Sequence, residues 1–222
     1  MNFAVVTFPG SNCDNDLYYA VKDALGENCT MVSSNEDSLD KYNVILIPGG
    51  FSFGDYLRSG AIANLAPIMK SIKQAANDGK IIVGICNGFQ ILTESNLLPG
   101  SLIKNNNMQF VSAWEKINVQ NNNSVFTNQY QKEESINLPV AHGEGHYYCD
   151  QKTLKELKAN KQIIFTYKDN PNGSVDDIAG ITNKQGNILG MMPHPERAVE
   201  KILGSKDGLR LFQSILKSHV RS

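Results

Sequence analysis

The segment Val83-Gly84-Ile85-Cys86-Asn87-Gly88-Phe89-Gln90 constrains this chain more than any other. An apolar run, Ile81 to Ile85, stops at a cysteine with a glycine two residues to either side, and a helix-compatible stretch, Phe89 to Glu94, follows. This is the Gly-x-nucleophile-x-Gly spacing of a nucleophile elbow, with Cys where many hydrolases carry Ser. The chemistry requires that spacing. A nucleophile on a sharp strand-to-helix turn stands clear of the sheet, and side chains two residues away would collide with the turn. The thiol would then lie at a helix N-terminus, whose partial positive charge favours thiolate. Taken alone, the same segment also reads as a small buried cysteine at a strand end.

The rest of the sequence bounds the setting. The 222 residues can bury a substantial core, and 41% hydrophobic with 19% charged residues is the composition of a globular protein. A formal net charge of −1 gives no electrostatic case for nucleic acid or an anionic membrane. The longest apolar run, about Ile81 to Cys86, falls far short of the roughly 20 residues of a spanning helix. Met1 leads directly into Phe3-Ala4-Val5-Val6, a strand pattern rather than a signal peptide. Cys13, Cys29, Cys86 and Cys149 form no close pair and read as free thiols of a reducing compartment, which places the protein in the cytoplasm.

Taken in order, the chain opens with a strand, Phe3 to Phe8, closed by Pro9-Gly10. Asn12 to Leu25 has helical spacing and Gly26 stops it; Cys29 to Val32 is a second strand. Val44 to Ile47 is a buried strand ended by Pro48-Gly49-Gly50, Ile62 to Asn77 a helix, and Ile81 to Ile85 the next strand. This alternation predicts an α/β, flavodoxin-like, doubly wound sheet, parallel or mixed, with helices on both faces. Beyond Pro99, polar turns separate expected antiparallel strands at Phe110 to Val119, Ser124 to Phe126 and Ile136 to Ala141, a small antiparallel extension. Leu154 to Lys158 reads as a short helix. Ile163 to Tyr167, Ile178 to Thr182 and Ile188 to Met192 read as further strands, and Gly208 to His219 as a closing helix. No repeat or long linker divides the chain, so residues 1–222 are expected to form one domain. In such sheets ligands bind outside the carboxyl ends of the strands, where Pro48-Gly49-Gly50 and Cys86 both fall.

A cysteine nucleophile needs a base, and the base an orienter. His194, in Met192-Pro193-His194-Pro195-Glu196, follows a strand. The flanking prolines are expected to hold the backbone extended, so that residues two apart point the same way and Glu196 lies beside the imidazole. His142 and His146 bracket His-Gly-Glu-Gly-His, but a zinc-binding helix of the His-Glu-x-x-His kind would not carry two glycines, so no metal is expected. Glycines after the Val44 to Ile47 strand let backbone N–H groups face a ligand. Acyl transfer needs such donors for its oxyanion, and the expected ones are Gly50 or Phe51 together with Asn87.

Pro-Gly-Gly (48–50), Gly-Ile-Cys-Asn-Gly-Phe-Gln (84–90) and His-Pro-Glu (194–196), in that order, resemble the class I, triad glutamine amidotransferases. Phe-Pro-Gly-Ser-Asn-Cys-Asp (8–14), Gly-Gly-Phe-Ser-Phe-Gly-Asp-Tyr-Leu-Arg (49–58) and Pro-Val-Ala-His-Gly-Glu-Gly (139–145) are similar to the members that serve purine synthesis. The resemblance implies Cys86 as nucleophile, His194 as general base and acid, and Glu196 as its orienter. L-Glutamine would be the substrate, contacted by Gly50 and Gln90, with His142, Gly143 and Glu144 at its amino-acid end. The chain carries no phosphate-binding glycine loop. No cofactor is therefore expected on it, and ATP and magnesium are expected on a large synthetase subunit, assembled with a small third subunit. Asp55 to Arg58 is the candidate contact with that partner. A DJ-1/PfpI-like hydrolase or redox sensor also carries an elbow cysteine and is the competing reading.

Overall fold

In the computed structural model, which describes residues 1–219, the first half of the chain alternates strand and helix. It runs β1 (Asn2–Thr7), α1 (Asp14–Tyr19), β2 (Asn28–Ser33), β3 (Val44–Ile47), α2 (Ile68–Asn77), β4 (Ile81–Ile85) and α3 (Asn87–Glu94). The second half adds β5 (Ser101–Ile103), β6 (Val111–Val119), β7 (Ser135–His142), β8 (His146–Tyr148), α4 (Gln151–Ala159), β9 (Ile163–Tyr167), β10 (Ile178–Thr182), β11 (Ile188–Met191) and α5 (Leu209–His219).

Nine strands form one sheet in the order β2-β1-β3-β4-β11-β10-β9-β6-β7. The first five are parallel and the remaining pairings antiparallel. From β1 the chain winds outward to β2, then returns through β3 and β4 in the other direction. Right-handed crossovers therefore put α1 and α2 on opposite faces, with the reversal between β1 and β3. Fully buried runs, Phe3 to Val6 and Val44 to Ile47, explain why these strands read as continuous apolar stretches. Late in the sequence β11 inserts beside β4, with Met191 opposite Ile85. That register brings the chain after β11 next to the chain after β4. β5 and β8 pair separately as a small antiparallel ribbon.

Three local expectations change. The helix expected from Ile62 begins only at Ile68, after a 3₁₀ turn at Ala63–Leu65. Pro67 caps it; a proline has no N–H to donate and is tolerated only where a helix starts. The segment Asn12 to Leu25 is α-helical from Asp14 and becomes a π-helix over Ala20–Leu25. Ser124 to Phe126 is a turn, not a strand. Its amides are taken by side chains, Asn123 N–H by Asn121 Oδ1 and Phe126 N–H by Ser124 Oγ, which competes with a sheet ladder. Phe126 is buried all the same.

Candidate active site

Cys86 occupies the junction of β4 and α3 with φ 52° and ψ −107°, a backbone strain of about 1–3 kcal/mol. The surroundings enforce it. A Cβ on Gly88 would lie 2.1 Å from the carbonyl oxygen of Ile47, and one on Gly84 would lie 2.5 Å from Leu92 Cδ1. Cys86 N–H donates to Met191 O at 2.8 Å, which ties the elbow to β11. Asn87 opens α3, so its N–H belongs to the first turn, where no intrahelical acceptor exists.

The chain leaving β11 delivers the base. His194 N–H is held by Pro139 O at 2.8 Å. The backbone then turns instead of staying extended: Pro195–Arg197 is a 3₁₀ turn with proline at its first position, where fixed φ and a missing N–H are compatible with helix. Glu196 nevertheless reaches the ring, by curling back, and Oε1 lies 2.6 Å from His194 Nδ1. Both side chains are buried. Burial opposes charge on the imidazole, but the Glu196 carboxylate, then Cys86 and Cys13, outweigh it and hold its pKa well above the ordinary value. His194 Nε2 has no hydrogen-bond partner, the atom a proton transfer to or from a nucleophile would use.

Gly49 allows the parts to meet. A Cβ there would lie 2.9 Å from His194 Cε1, 3.1 Å from Cys13 Sγ and 3.3 Å from Cys86 Cβ. Cys86, His194, Gly50, Phe51, Gln90, His142 and Gly143 all line one cavity of about 130 Å³. Cavities for drug-sized ligands run to roughly 300–1,000 Å³, so this one suits a small substrate. A larger open cleft of about 650 Å³, bounded by Gln120, Lys132 and Lys161, shares none of these residues and is lined by no cysteine or histidine.

Of the two amides expected after β3, Phe51 N–H is already donated to Gly10 O at 3.0 Å, leaving Gly50 as the donor available to a ligand. The loop after β1 clamps this strand end: the amides of Asn12 and Cys13 both donate to Gly49 O, at 3.4 and 3.3 Å. Gly50 has φ 135°, and a Cβ on it would lie 2.6 Å from Asn12 N. Gln90 Nε2 donates to Glu144 O at 2.8 Å, so Glu144 enters through its carbonyl and is not among the cavity-lining residues. The His142 ring is buried; burial first, then the charge on His194, pushes its pKa down to about 4.

Sequence reasoning missed Cys13 and Arg197, which also line the cavity. Arg197 Nη2 donates to Cys13 Sγ at 3.1 Å and its Nε to Asp16 Oδ2 at 3.0 Å. The available signal was position: Cys13 follows the β1 strand end, on the same sheet edge as the elbow.

A doubly wound sheet that sets a cysteine elbow against a histidine–glutamate pair from the neighbouring strand defines the class I glutamine amidotransferases, and the geometry leads to that class. Residues 1–214 match the CobB/CobQ-like glutamine amidotransferase domain, and the chain belongs to that family. It is 45% identical to a chain in the structure of PurLQS from Thermotoga maritima, with 98% of each chain covered and a TM-score of 0.91. A second T. maritima glutamine amidotransferase shares the fold at 15% identity, with 100% of this chain and 99% of that one covered (TM-score 0.68). A GMP synthase-like protein from Thermoplasma acidophilum does so at 17% identity, with 100% and 96% covered (TM-score 0.67). The family match sets the DJ-1/PfpI-like reading aside.

Proposed function

We propose that this chain is the glutaminase subunit of phosphoribosylformylglycinamidine synthase, releasing ammonia from L-glutamine for an ATP-dependent synthetase subunit in purine synthesis. The observation that carries the site is the His194 ring. Its Nδ1 is held by Glu196 at 2.6 Å, while Nε2 is buried, unpartnered and beside the cavity that Cys86 lines. The 45% likeness to a PurLQS chain over nearly the full length supports the particular subunit.

In this mechanism Cys86 passes its proton to His194 Nε2 and attacks the side-chain amide carbon of glutamine. Gly50 N–H and Asn87 N–H stabilise the resulting oxyanion; losing one such donor typically costs about 10²–10³ in rate. His194 returns the proton to the leaving nitrogen, the C–N bond breaks, and ammonia departs from a glutamyl thioester. Water, deprotonated by the same imidazole, then cleaves the thioester to glutamate and restores the thiol. Glu196 stabilises the imidazolium in both halves. Gln90 and the 142–144 segment hold the amino-acid end of the substrate. ATP and magnesium bind the large synthetase subunit, and a small third subunit completes the complex in the cytoplasm.

The test is Cys86→Ala in the assembled enzyme. Glutamine-dependent synthesis should be abolished while synthesis from added ammonium persists; surviving glutamine use would refute the nucleophile assignment.

A further inference from the structure

An elbow requires only the backbone of the residue after its nucleophile, yet Asn87 carries a polar side chain that is 1% exposed. Its orientation is fixed without ambiguity. The oxygen, Oδ1, lies 3.1 Å from the amide of Ser52, a group that can only donate. The nitrogen, Nδ2, therefore faces the other way, 2.8 Å from Gln90 Oε1 and 3.4 Å from Asp55 Oδ1. Gln90 must then present its oxygen to Asn87 and its nitrogen to the carbonyl of Glu144, 2.8 Å away, a group that can only accept. Two side-chain amides thus form one directed chain between a backbone N–H and a backbone C=O. Reversing either amide would set oxygen against oxygen and N–H against N–H.

Each anchor directly follows a cavity-lining segment, Ser52 after Gly50 and Phe51, and Glu144 after His142 and Gly143. Ser52 belongs to the strand-end loop that carries Gly50, and Glu144 follows β7 beside Gly143. From this geometry, and resting on Cys86 as the nucleophile, we infer that the Asn87 side chain is a positioning residue. It ties the two segments together and aims the Gln90 carboxamide, and so governs recognition of glutamine rather than reactivity of the thiol. The same side chain reaches Asp55, on a loop where Phe53, Asp55 and Leu57 hold φ of 51°, 54° and 70°. The relay thus connects that loop to Gln90.

The experiment uses Asn87→Asp, which keeps the shape and the acceptor for Ser52 but turns an oxygen towards Gln90 Oε1 and the Asp55 carboxylate. Cys86 is labelled in separate reactions by a chloroketone analogue of glutamine and by iodoacetamide, which lacks the amino-acid end. Labelling by the analogue should slow about tenfold or more, the scale of one lost buried hydrogen bond with its partner left unpaired. Iodoacetamide should be slowed at least about fivefold less than the analogue, because the added carboxylate acts on the thiol towards both reagents but the relay serves only the amino-acid end. Gln90→Glu, which breaks the chain at its other end, should give the same selective loss even if Asn87→Asp fails to fold. The double substitution should lose no more than the worse single one, as members of one network do. Wild-type rates with the analogue, equal slowing of both reagents, or losses that multiply in the double variant would overturn the inference. Failure of the analogue to label wild-type Cys86 would instead remove the proposed function, and this inference with it.

Discussion

Two imidazoles border one cavity and have their pKa values pushed in opposite directions. The carboxylate at its Nδ1 raises the pKa of His194 and stabilises the imidazolium when it forms, whereas burial, then the charge on His194, lowers that of His142. The neighbours of His142 agree. Asn172 Oδ1 accepts from Ser174 N–H at 3.0 Å, so its Nδ2 faces His142 Nε2 at 3.4 Å, which suits a ring nitrogen carrying a lone pair. With a folded pKa of about 4 against about 6.5 unfolded, the stability from this group is fully present above about pH 6.5. It is lost as pH falls towards 4, by roughly 3 kcal/mol at most. His194 works with the opposite sign: its contribution is complete below about pH 6.5 and is lost as pH rises through its raised folded value. Urea unfolding of wild type and His142→Gln at pH 7 and pH 4.5 isolates the first effect. The advantage of wild type over the variant should shrink by about 2–3 kcal/mol on acidification, and a constant difference would show that His142 titrates normally. At this scale the sequence disclosed what local spacing can encode. Cys86 between its glycines and Glu196 two residues from His194 were both legible there. Arg197 on Cys13 was not, because 184 residues separate them and only the strand order β1-β3-β4-β11 brings their loops to one sheet edge.

The elements show the same division between local and tertiary causes. β1, β3 and β4 were legible as unbroken apolar runs because both faces of each are covered. The start of α2 was obscured because the apolar spacing extends through Ile62 while Pro67 sets the first full helical turn. The three-residue strands β5 and β8 offer too little sequence to display a period. The turn at Pro195–Arg197 has a further lesson: the pairing of Glu196 with His194 was anticipated on extended geometry, and a tight turn achieved it. At the elbow, the close approach is between α3 and β3, and it sets a limit on substitution. Gly88→Ala would place a methyl 2.1 Å from a backbone oxygen of a central strand, which cannot yield as a side chain can. The expected loss is about 3 kcal/mol, the upper range for overpacking. Gly186→Ala is the comparison: φ there is 78°, but nothing lies within 4 Å of the added Cβ, so only the left-handed backbone penalty of about 1–2 kcal/mol applies. Denaturant midpoints that rank these two the other way would show that β3 and α3 are not so tightly apposed.

On the scale of the whole molecule, the sheet is parallel where it carries Cys86 and the segment leading to His194, and antiparallel where it extends beyond β11 to β7, whose end adds His142 to the cavity. The five parallel strands send their carboxyl ends, with the loops after β1, β3, β4 and β11, to one edge, so the reactive groups share that edge by topology. An exposed loop also stands there. Tyr56 is 73% exposed and Leu57 90%, unusual for large apolar side chains that sit next to each other. The loop is nonetheless anchored: Arg58 places two 2.7 Å hydrogen bonds on the carboxylate of Glu94, at the end of α3. Fixed ends with a protruding apolar tip fit a surface presented to another chain better than a lid, since a lid would need to leave its anchor. On the proposed function that chain is the synthetase subunit. Leu57→Asp should therefore weaken assembly with the cognate synthetase by at least about tenfold, the effect of losing one apolar anchor at an interface centre. Thermal stability should hold, because the side chain packs on nothing within its own subunit to a degree that exceeds one-tenth of its surface. Titration calorimetry against the purified synthetase reads the affinity directly. An unchanged dissociation constant would move the docking surface off this loop, and with it the route by which partner binding could reach Asn87 and the glutamine cavity.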